Sequence, residues 1–288
     1  SYAVYGSSKN DDEKISTYMS KILESDLTLS FKKNTETNEF ILTGMGTNHL
    51  EVVVSRLKKF GLDIKLKLPK VAYKETIKDK TTHKARFKKQ TGGHGQFGDV
   101  TIEIEPLPRG AGFEFVDMIV GGAIPRQFIP SVEKGVKSAM EKGPLAGYPM
   151  TDIKVKLIDG MYHPVDSSDF SFQMAGSIAF KEGALKCKPT LLEPILEMEV
   201  FVPEENVGDI IGDINARRGK MLKMETYGKR HNFKQIIVLI PEAEILEYAP
   251  TLRSLTAGRG FFRTKFFGYE EVPAQKAQKI IESFKAQE

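Results

Sequence analysis

Residues 90–100 read Gln-Thr-Gly-Gly-His-Gly-Gln-Phe-Gly-Asp-Val, and the element that this stretch opens decides the fold class. From Gly93 to Val100 the spacing is G-x-G-x-x-G-x-V, which is typical of a loop that binds nucleotide phosphates. A dinucleotide loop must lead into a helix, because the helix N-terminal amides hold the pyrophosphate. Here Val100, Ile102 and Ile104 alternate with polar residues, which predicts a strand. The sequence therefore argues against a dinucleotide-binding fold.

A protein kinase loop does lie between two strands, so the pattern alone does not exclude it. Such an enzyme also requires a catalytic H-R-D motif and a metal-binding Asp-Phe-Gly. The chain contains no H-R-D, Asp169-Phe170 is followed by Ser171, and no G-x-x-x-x-G-K-[ST] run occurs anywhere. We therefore expect this chain to bind no nucleotide and to carry no catalytic constellation of its own.

The composition is that of a folded, multidomain protein. The 288 residues are enough for two or three domains, and 28% of them are charged and 40% apolar. The net charge of +4 permits contact with RNA without requiring it. Cys187 is the only cysteine, which excludes an intrachain disulfide and fits a reducing cytoplasm. No apolar run approaches the roughly 20 residues of a membrane helix, and the missing initiator Met suggests a processed or excised product.

The two ends of the chain share one plan. Near the N-terminus, apolar residues at helical spacing and alternating segments predict the order α-β-β-α-β, most of a ferredoxin-like split βαβ unit. From about Ile195 the predicted order is β-α-β-β-α-β, which is the whole unit, and a further helix starts at about Pro273. The helical rows are Ile15, Tyr18, Met19 and Ile22; Leu50, Val53, Val54 and Leu57; Val207, Ile210, Ile211 and Ile214; and Ile245, Tyr248, Ala249 and Leu252.

Between these ends, the extended segment 73–90 is rich in positive charge. It carries seven basic residues: Lys74, Lys78, Lys80, Lys84, Arg86, Lys88 and Lys89. Such a run can neutralise several RNA phosphates, and it can equally be the solvated face of a strand, so both interpretations stay open. Helices are predicted over 127–140 and 169–186, with a rigid loop over 143–149 and a strand over 152–158.

The histidines and serines show no pattern that predicts metal binding or nucleophilic catalysis. The five histidines lack the i, i+4 pairing and the Cys/His spacing of metal sites. His163 and residues 166–168 include the residue types of a hydrolytic triad, but so short a loop cannot easily place them in line. Residues 166–169 are better explained as the N-terminal cap of the next helix, which leaves His163 without a role.

Short motifs spread along the whole chain resemble one family. The glycine stretch and the runs Gly143 to Pro149, Gly208 to Gly219 and Arg253 to Thr256 are similar to the C-terminal half of elongation factor G. Further runs agree with it in order: Gly44-Met45-Gly46, Val71 to Ile77, Asp166-Ser167-Ser168 and Leu192-Glu193-Pro194. The match is collinear over essentially all 288 residues, so the resemblance is specific. The N-terminal GTPase domain of that family and the barrel after it have no counterpart in this sequence.

The resemblance implies an α+β protein of three domains. Two ferredoxin-like domains would flank a central α+β domain resembling the ribosomal-protein S5 domain 2-like fold. Residues 1–72 would be the third domain of the family, 73–190 the fourth and 191–272 the fifth. Residues 273–288 would form a C-terminal helix that packs back on the middle domain.

The resemblance also implies where the site lies. In the family, the fourth domain projects into the decoding site of the small ribosomal subunit through two tip loops. Glycines in such loops let backbone amides approach RNA, and histidine and glutamine supply neutral donors and acceptors. The corresponding residues are Gly92, Gly93, His94, Gly95 and Gln96 in the first loop, and His163, Pro164, Asp166 and Ser167 in the second. Candidates for contact with the large subunit are Arg217, Arg218 and Arg259.

A translation role follows as an expectation from the resemblance. The chain would bind ribosomal RNA and ribosomal proteins and promote tRNA–mRNA translocation, as a cytoplasmic monomer without membrane contact. No cofactor is expected in this chain. GTP and Mg²⁺ are expected only in the N-terminal GTPase domain, which would make the full-length relative a ribosome-dependent GTPase.

Two departures from the family pattern favour a paralogue of elongation factor G. Thr47-Asn48 follow Gly46 where an acidic and an apolar residue are usual, and Pro164 stands where an acidic residue is usual. Ribosome recycling or rescue therefore stays open as an alternative function. A free-standing RNA-binding protein is an alternative of a different class.

Overall fold

The computed structural model describes residues 1–6, 9–91, 94–228 and 232–286. The chain divides into two compact units, one of Ser1–Ala72 with Leu196–Phe266 and the other of Tyr73–Ile195 with Phe267–Glu288. Both units combine helices with mostly antiparallel sheets, so the predicted α+β class is confirmed.

Residues 1–72 form a four-stranded antiparallel sheet with two helices packed on it. The elements are β1 (Tyr2–Gly6), α1 (Lys9–Ser25), β2 (Ser30–Lys33), β3 (Phe40–Thr43), α2 (Thr47–Lys59) and β4 (Ile64–Lys67), in the strand order β2-β3-β1-β4. This is a complete ferredoxin-like βαββαβ unit. The sequence pattern missed β1, because five residues are too few to show a clear alternation. Ala3 and Val4 are both buried, as expected of a strand between two neighbours.

The middle of the chain contains a second four-stranded sheet. Its strands are β6 (Thr81–Thr91), β7 (His94–Pro106), β8 (Phe113–Asp117) and β9 (Ile153–Met161), in the order β6-β7-β9-β8. The strand β8, which the sequence pattern also missed, pairs with β9 in parallel, whereas the other neighbours are antiparallel. A short strand, β5 (Lys74–Ile77), precedes this sheet.

Two helices cover the middle sheet, α3 (Ile129–Met140) and α4 (Asp169–Lys186). They approach closely because two glycines lie where they meet: a Cβ on Gly135 would come within 2.0 Å of the Gln173 carbonyl oxygen, and one on Gly176 within 2.7 Å of the Val132 carbonyl oxygen. The rings of Phe128 and Phe172 stack at 4.9 Å beneath them. The N-terminus of α4 is therefore held by a dense core.

The last part of the chain repeats the first topology. Its elements are β10 (Pro189–Pro203), α5 (Val207–Ala216), β11 (Lys220–Thr226), β12 (Phe233–Pro241), α6 (Tyr248–Leu255) and β13 (Phe261–Glu271), in the order β11-β12-β10-β13. The start of β10 pairs with β5. Pro250 lies in the first turn of α6, where its missing N–H breaks no helical hydrogen bond.

A buried carboxylate holds the loop 143–148. Glu75 has no exposed surface, and its carboxylate accepts hydrogen bonds from the amides of Leu145 (2.9 Å), Ala146 (2.8 Å) and Tyr148 (3.2 Å). Burial raises the pKa of Glu75 although these three amides act to lower it. The final helix, α7 (Ala274–Lys285), packs beside the loop, where Phe284 contacts Tyr148.

Candidate nucleic-acid interface

The glycine stretch is part of a long two-stranded ribbon rather than a broad loop. The strands β6 and β7 stay paired from Thr81 opposite Ile104 as far as Thr91 opposite His94. Within residues 90–100, Gln90 and Thr91 therefore end β6, and the residues from His94 onward belong to β7. Gly92 and Gly93 lie outside the described residues, as does the side chain of His94.

The glycines Gly95 and Gly98 make room for the protein itself. A Cβ on Gly98 would lie 2.7 Å from the carbonyl oxygen of Ser171, and one on Gly95 would lie 2.7 Å from the carboxyl carbon of Asp166. At these two positions the absence of a side chain lets the ribbon pack against the loop before α4 and against the first turn of that helix. This reason differs from the RNA approach that the sequence suggested.

The second loop, residues 162–168, is hydrogen-bonded to the ribbon. The amide of Phe97 donates to the carbonyl oxygen of Asp166 (2.8 Å), and the amide of Gly95 donates to the Asp166 carboxylate (3.2 Å). The hydroxyl of Ser167 donates to the carbonyl oxygen of Phe97 (2.8 Å). The two predicted tip loops are therefore brought together as one structure, which we call the tip.

The cap of α4 completes the tip. The Ser168 hydroxyl accepts from the Ser171 amide (3.2 Å), and the Ser171 hydroxyl accepts from the Ser168 amide (2.9 Å), which is a reciprocal capping box. The Ser171 hydroxyl also lies 2.7 Å from the Phe97 carbonyl oxygen, to which it can donate. The predicted capping role of residues 166–169 is confirmed, with Ser168 as the capping residue.

The imidazole of His163 lies at the surface of the tip, and 53% of its side chain is exposed. Its Nδ1 lies 3.2 Å from the amide nitrogen of Asp166 and 3.3 Å from the carboxylate of the same residue, so this nitrogen faces the loop. The hydroxyl of Ser167 accepts from the His163 amide (2.8 Å) while donating to Phe97. This serine is thus committed to holding the loop rather than placed for nucleophilic attack.

An aromatic and cationic cluster beside His163 was missed by the sequence pattern. The guanidinium of Arg86 lies 5.7 Å from the centre of the Phe97 ring, and that ring meets His163 edge-on at 6.4 Å. Arg86 also pairs with the fully buried carboxylate of Asp99 at 2.8 Å, and Lys84 approaches the same carboxylate at 3.2 Å. The alternation that buries Val100 was a usable signal, because it places Phe97 and Asp99 together on the opposite face.

The basic residues of segment 73–90 fit in part each of the two interpretations, RNA phosphate binding and the solvated face of a strand. Lys84 and Arg86 share the single carboxylate of Asp99, and Lys78 pairs with Glu271. Lys88 and Lys89, nearest the tip, are exposed and have no acidic partner in the described part of the chain. Free positive charge is therefore concentrated at the tip end of the ribbon.

The three arginines predicted to contact the large subunit are held by neighbouring residues. Arg217 bonds Asp213 and the Glu244 carbonyl oxygen, both at 2.8 Å, and its guanidinium lies 5.1 Å from the centre of the Tyr248 ring. Arg218 pairs with the Glu244 carboxylate at 2.9 Å. Arg259 pairs with Glu205. The structure brings Arg217 and Arg218 together around Glu244, and their contact with a ribosome stays a prediction.

Metal and membrane sites were also sought in the described ranges. No group of three or more His, Cys, Asp or Glu side chains there is placed to hold a metal ion. Among the same residues, no helix is both long and apolar enough to cross a bilayer.

The chain contains two ferredoxin-like sheets and a middle domain in which a long ribbon packs against the cap of a helix. These features define a modular α+β protein that presents loops at its surface. Three domain families match consecutive parts of the chain: Elongation Factor G, domain III over residues 1–68; Elongation factor G, domain IV over 69–188; and Elongation factor G C-terminus over 190–280. The chain belongs to the elongation factor G family.

Two bacterial relatives are similar to nearly the whole chain. It is 52% identical over 283 residues to the Elongation factor G-like protein of Thermotoga maritima and to the Elongation factor G of Aquifex pyrophilus. These alignments cover 98% of this chain but only 41% and 40% of the two relatives. A crystal structure of a Thermus thermophilus protein matches with a TM-score of 0.88 and 40% identity over 100% of this chain and 42% of that one. Equal identity to both relatives leaves the paralogue interpretation a prediction.

Proposed function

We propose that this chain binds the ribosome and that its tip contacts RNA at the decoding site during tRNA–mRNA translocation. The observation that carries the proposal is the hydrogen-bonded junction of the ribbon with the second loop, which presents His163 and Gln96 beside unpaired lysines. A tip fixed by two loops and a capped helix can push against RNA without collapsing. Membership of the elongation factor G family supports this role.

The chemistry of the tip suits RNA backbone and sugar edges. Gln96 offers an amide donor and acceptor, and the imidazole of His163 offers a ring nitrogen to RNA groups. Lys88 and Lys89 supply attraction to phosphates that depends on salt but not on sequence. The ring of Phe97 under Arg86 gives an apolar, cationic surface against which a base can stack.

The rest of the machinery belongs to the longer relatives. Because the chain spans about 41% of the Thermotoga relative, we propose that GTP and Mg²⁺ act through a GTPase domain outside this sequence. The domains proposed for this chain, 1–72, 73–190 and 191–272 with a final helix over 273–288, would transmit that motion to the tip. Arg217, Arg218 and Arg259 are proposed to face the large subunit. The protein is proposed to be a cytoplasmic monomer.

Co-sedimentation tests binding directly. The 288-residue chain is pelleted with purified ribosomes at about 50 mM and about 200 mM salt. We expect Gln96→Ala/His163→Ala to bind about tenfold more weakly, the loss of about 1.4 kcal/mol that two hydrogen bonds can supply. Lys88→Ala/Lys89→Ala should flatten the salt dependence by about one unit of slope per lysine. Gln275→Ala, at an exposed position in α7, is the matched control.

The outcome also separates the candidate functions. A chain that pellets no better with ribosomes than alone would favour a free-standing RNA-binding protein. Binding followed by normal translocation in Gln96→Ala/His163→Ala, measured in a form that carries a GTPase domain, would remove the tip assignment. Subunit splitting in place of translocation would favour a paralogue in recycling or rescue.

A further inference from the structure

A basic groove lies between the two helices of residues 1–72, within a single domain. It has a volume of about 230 Å³ and is lined by Lys21, Ile22, Ser25, Arg56, Lys59 and Phe60. Lys21, Ile22 and Ser25 come from the last two turns of α1, and Arg56 and Lys59 come from the last turn of α2. The groove therefore opens where both helices end.

The floor and one wall of the groove are apolar. Ile22 is a core residue with 5% of its surface exposed, whereas 57% of Phe60 is exposed. The Phe60 ring meets Tyr18 at 5.6 Å, and the chain turns away at Gly61 with φ of 78°. A large aromatic side chain is thus fixed at the surface, where burying it in a complex would be favourable.

Three cations surround this apolar surface. Arg56 and Lys59 are exposed and have no carboxylate partner among the described residues, and Lys21 lies 5.6 Å from the centre of the Tyr18 ring. Basic residues in the last turn of α2 complement the negative end of its dipole. That role does not account for Lys21 on the other helix or for the exposed ring of Phe60.

We propose that this groove is a docking site for an acidic peptide segment of a protein partner. One apolar side chain of the segment would pack on Ile22 and Phe60, and flanking carboxylates would pair with Lys21, Arg56 and Lys59. Charge complementarity selects an acidic occupant, and a groove of about 230 Å³ with the aliphatic side chain of Ile22 at its floor favours one apolar peptide side chain over a nucleobase. The groove is built from residues 1–72 alone, so the proposal does not depend on the function proposed for the tip.

Fluorescence anisotropy with the 288-residue chain tests the proposal. The probe is a labelled peptide of sequence Glu-Glu-Leu-Glu-Phe-Glu-Glu, compared with the same peptide carrying serine for leucine and phenylalanine. We expect the apolar probe to bind about tenfold more tightly than the serine probe, and Arg56→Ala/Lys59→Ala to lose about tenfold in affinity. Phe60→Ala should reduce only the difference between the two probes.

The matched control is Lys32→Ala/Lys65→Ala, which removes two exposed positive charges from strands of the same domain. This variant should bind like the unmodified chain, and circular dichroism should show every variant folded. Equal losses in both double variants would mean that net charge alone attracts the probe, which overturns the proposal. Preferential binding of an oligouridylate at Arg56 and Lys59 would also overturn it and assign the groove to RNA.

Discussion

Two carboxylates each hold a glycine-containing loop, one deep in the protein and one at its tip. Glu75 is fully buried and accepts three amide hydrogen bonds from the loop 143–148. The carboxylate of Asp166 is 32% exposed, accepts one amide hydrogen bond, from Gly95, and lies 3.3 Å from Nδ1 of His163. The chemistry is the same, and the surroundings differ.

The difference in burial distinguishes a carboxylate that only holds the fold from one that can still contact a ligand. Each amide hydrogen bond to Glu75 takes the place of a hydrogen bond to water that burial has removed. Removing the carboxylate would therefore leave three buried amides without an acceptor. Asp166 keeps partial access to solvent beside its contacts with Gly95 and His163, so water or a ligand can still reach its carboxylate. The burial of the carboxylate and the number of hydrogen bonds that it already accepts, rather than the residue type, decide which loop is a scaffold and which can act as an interface.

Replacing each of the two carboxylates by alanine should give the largest difference in the free energy of unfolding. We expect Glu75→Ala to lower the free energy of unfolding of its unit by about 3 kcal/mol or more, because buried amide donors lose their acceptor. Asp166→Ala should cost about 1 kcal/mol or less, since water can reach the partly exposed site and replace the carboxylate. Urea unfolding of both variants measures this, and equal costs would show that burial does not distinguish the two loops.

Replacing one glycine of each loop by alanine, Gly143 in the buried loop and Gly95 at the tip, should give an intermediate difference in stability. A Cβ on Gly143 would lie 2.3 Å from the Glu75 carboxylate and 2.7 Å from the carbonyl oxygen of Tyr148, neither of which can easily move. We expect Gly143→Ala to cost about 1–3 kcal/mol. Gly95→Ala should cost less than about 1 kcal/mol, because the exposed Asp166 side chain can rotate away. Thermal unfolding of the two variants side by side is the measurement, and the reverse order would contradict the contact geometry.

The pH dependence of stability should give the smallest contrast. Burial raises the pKa of Glu75 above its ordinary value of 4.5, so the folded state binds this proton more tightly than the unfolded state does. The contribution of Glu75 to stability should therefore be greatest below pH 4.5 and fall as the pH rises through the raised pKa, by less than about 1.4 kcal/mol per pH unit. Urea midpoints measured between about pH 4 and 7 should show this slope in the unmodified chain and lose it in Glu75→Gln. An unchanged slope in Glu75→Gln would assign it to other groups.

Much of the architecture could be predicted from local patterns. The bounds of α4 agree with the prediction over 169–186, because a serine cap and a terminal basic residue mark its ends. Helical rows separated by strands predicted the whole order of the last ferredoxin-like unit and all but the first strand of the N-terminal one. The strands β1 and β8 were missed, since each is short and is defined by partners far away in the chain. Pairing across such distances leaves no periodic signal.

The site was predicted in position but not in construction. The glycines and His163 could be found by motif, whereas the bonds from Ser167 and Ser171 to the Phe97 carbonyl oxygen join residues about 70 positions apart. Asp99 and Glu75 were not singled out, because a carboxylate in a strand is usually solvated. Only the fold shows that these two are buried and gather amides or cations around them.

The paired ribbon limits how the tip can change its reach. Residues 94–98 extend past Met161, where the neighbouring strand ends, so the first five residues of β7 project by about 17 Å. Adding one residue to each arm before this cluster would leave Arg86 opposite Asp99 but turn both residues, with Phe97, to the face away from His163. Adding two residues to each arm restores the face but moves Phe97 by about 7 Å along the ribbon. A longer tip that keeps Phe97 against His163 therefore requires steps of two residues per arm and a matching extension of the second loop.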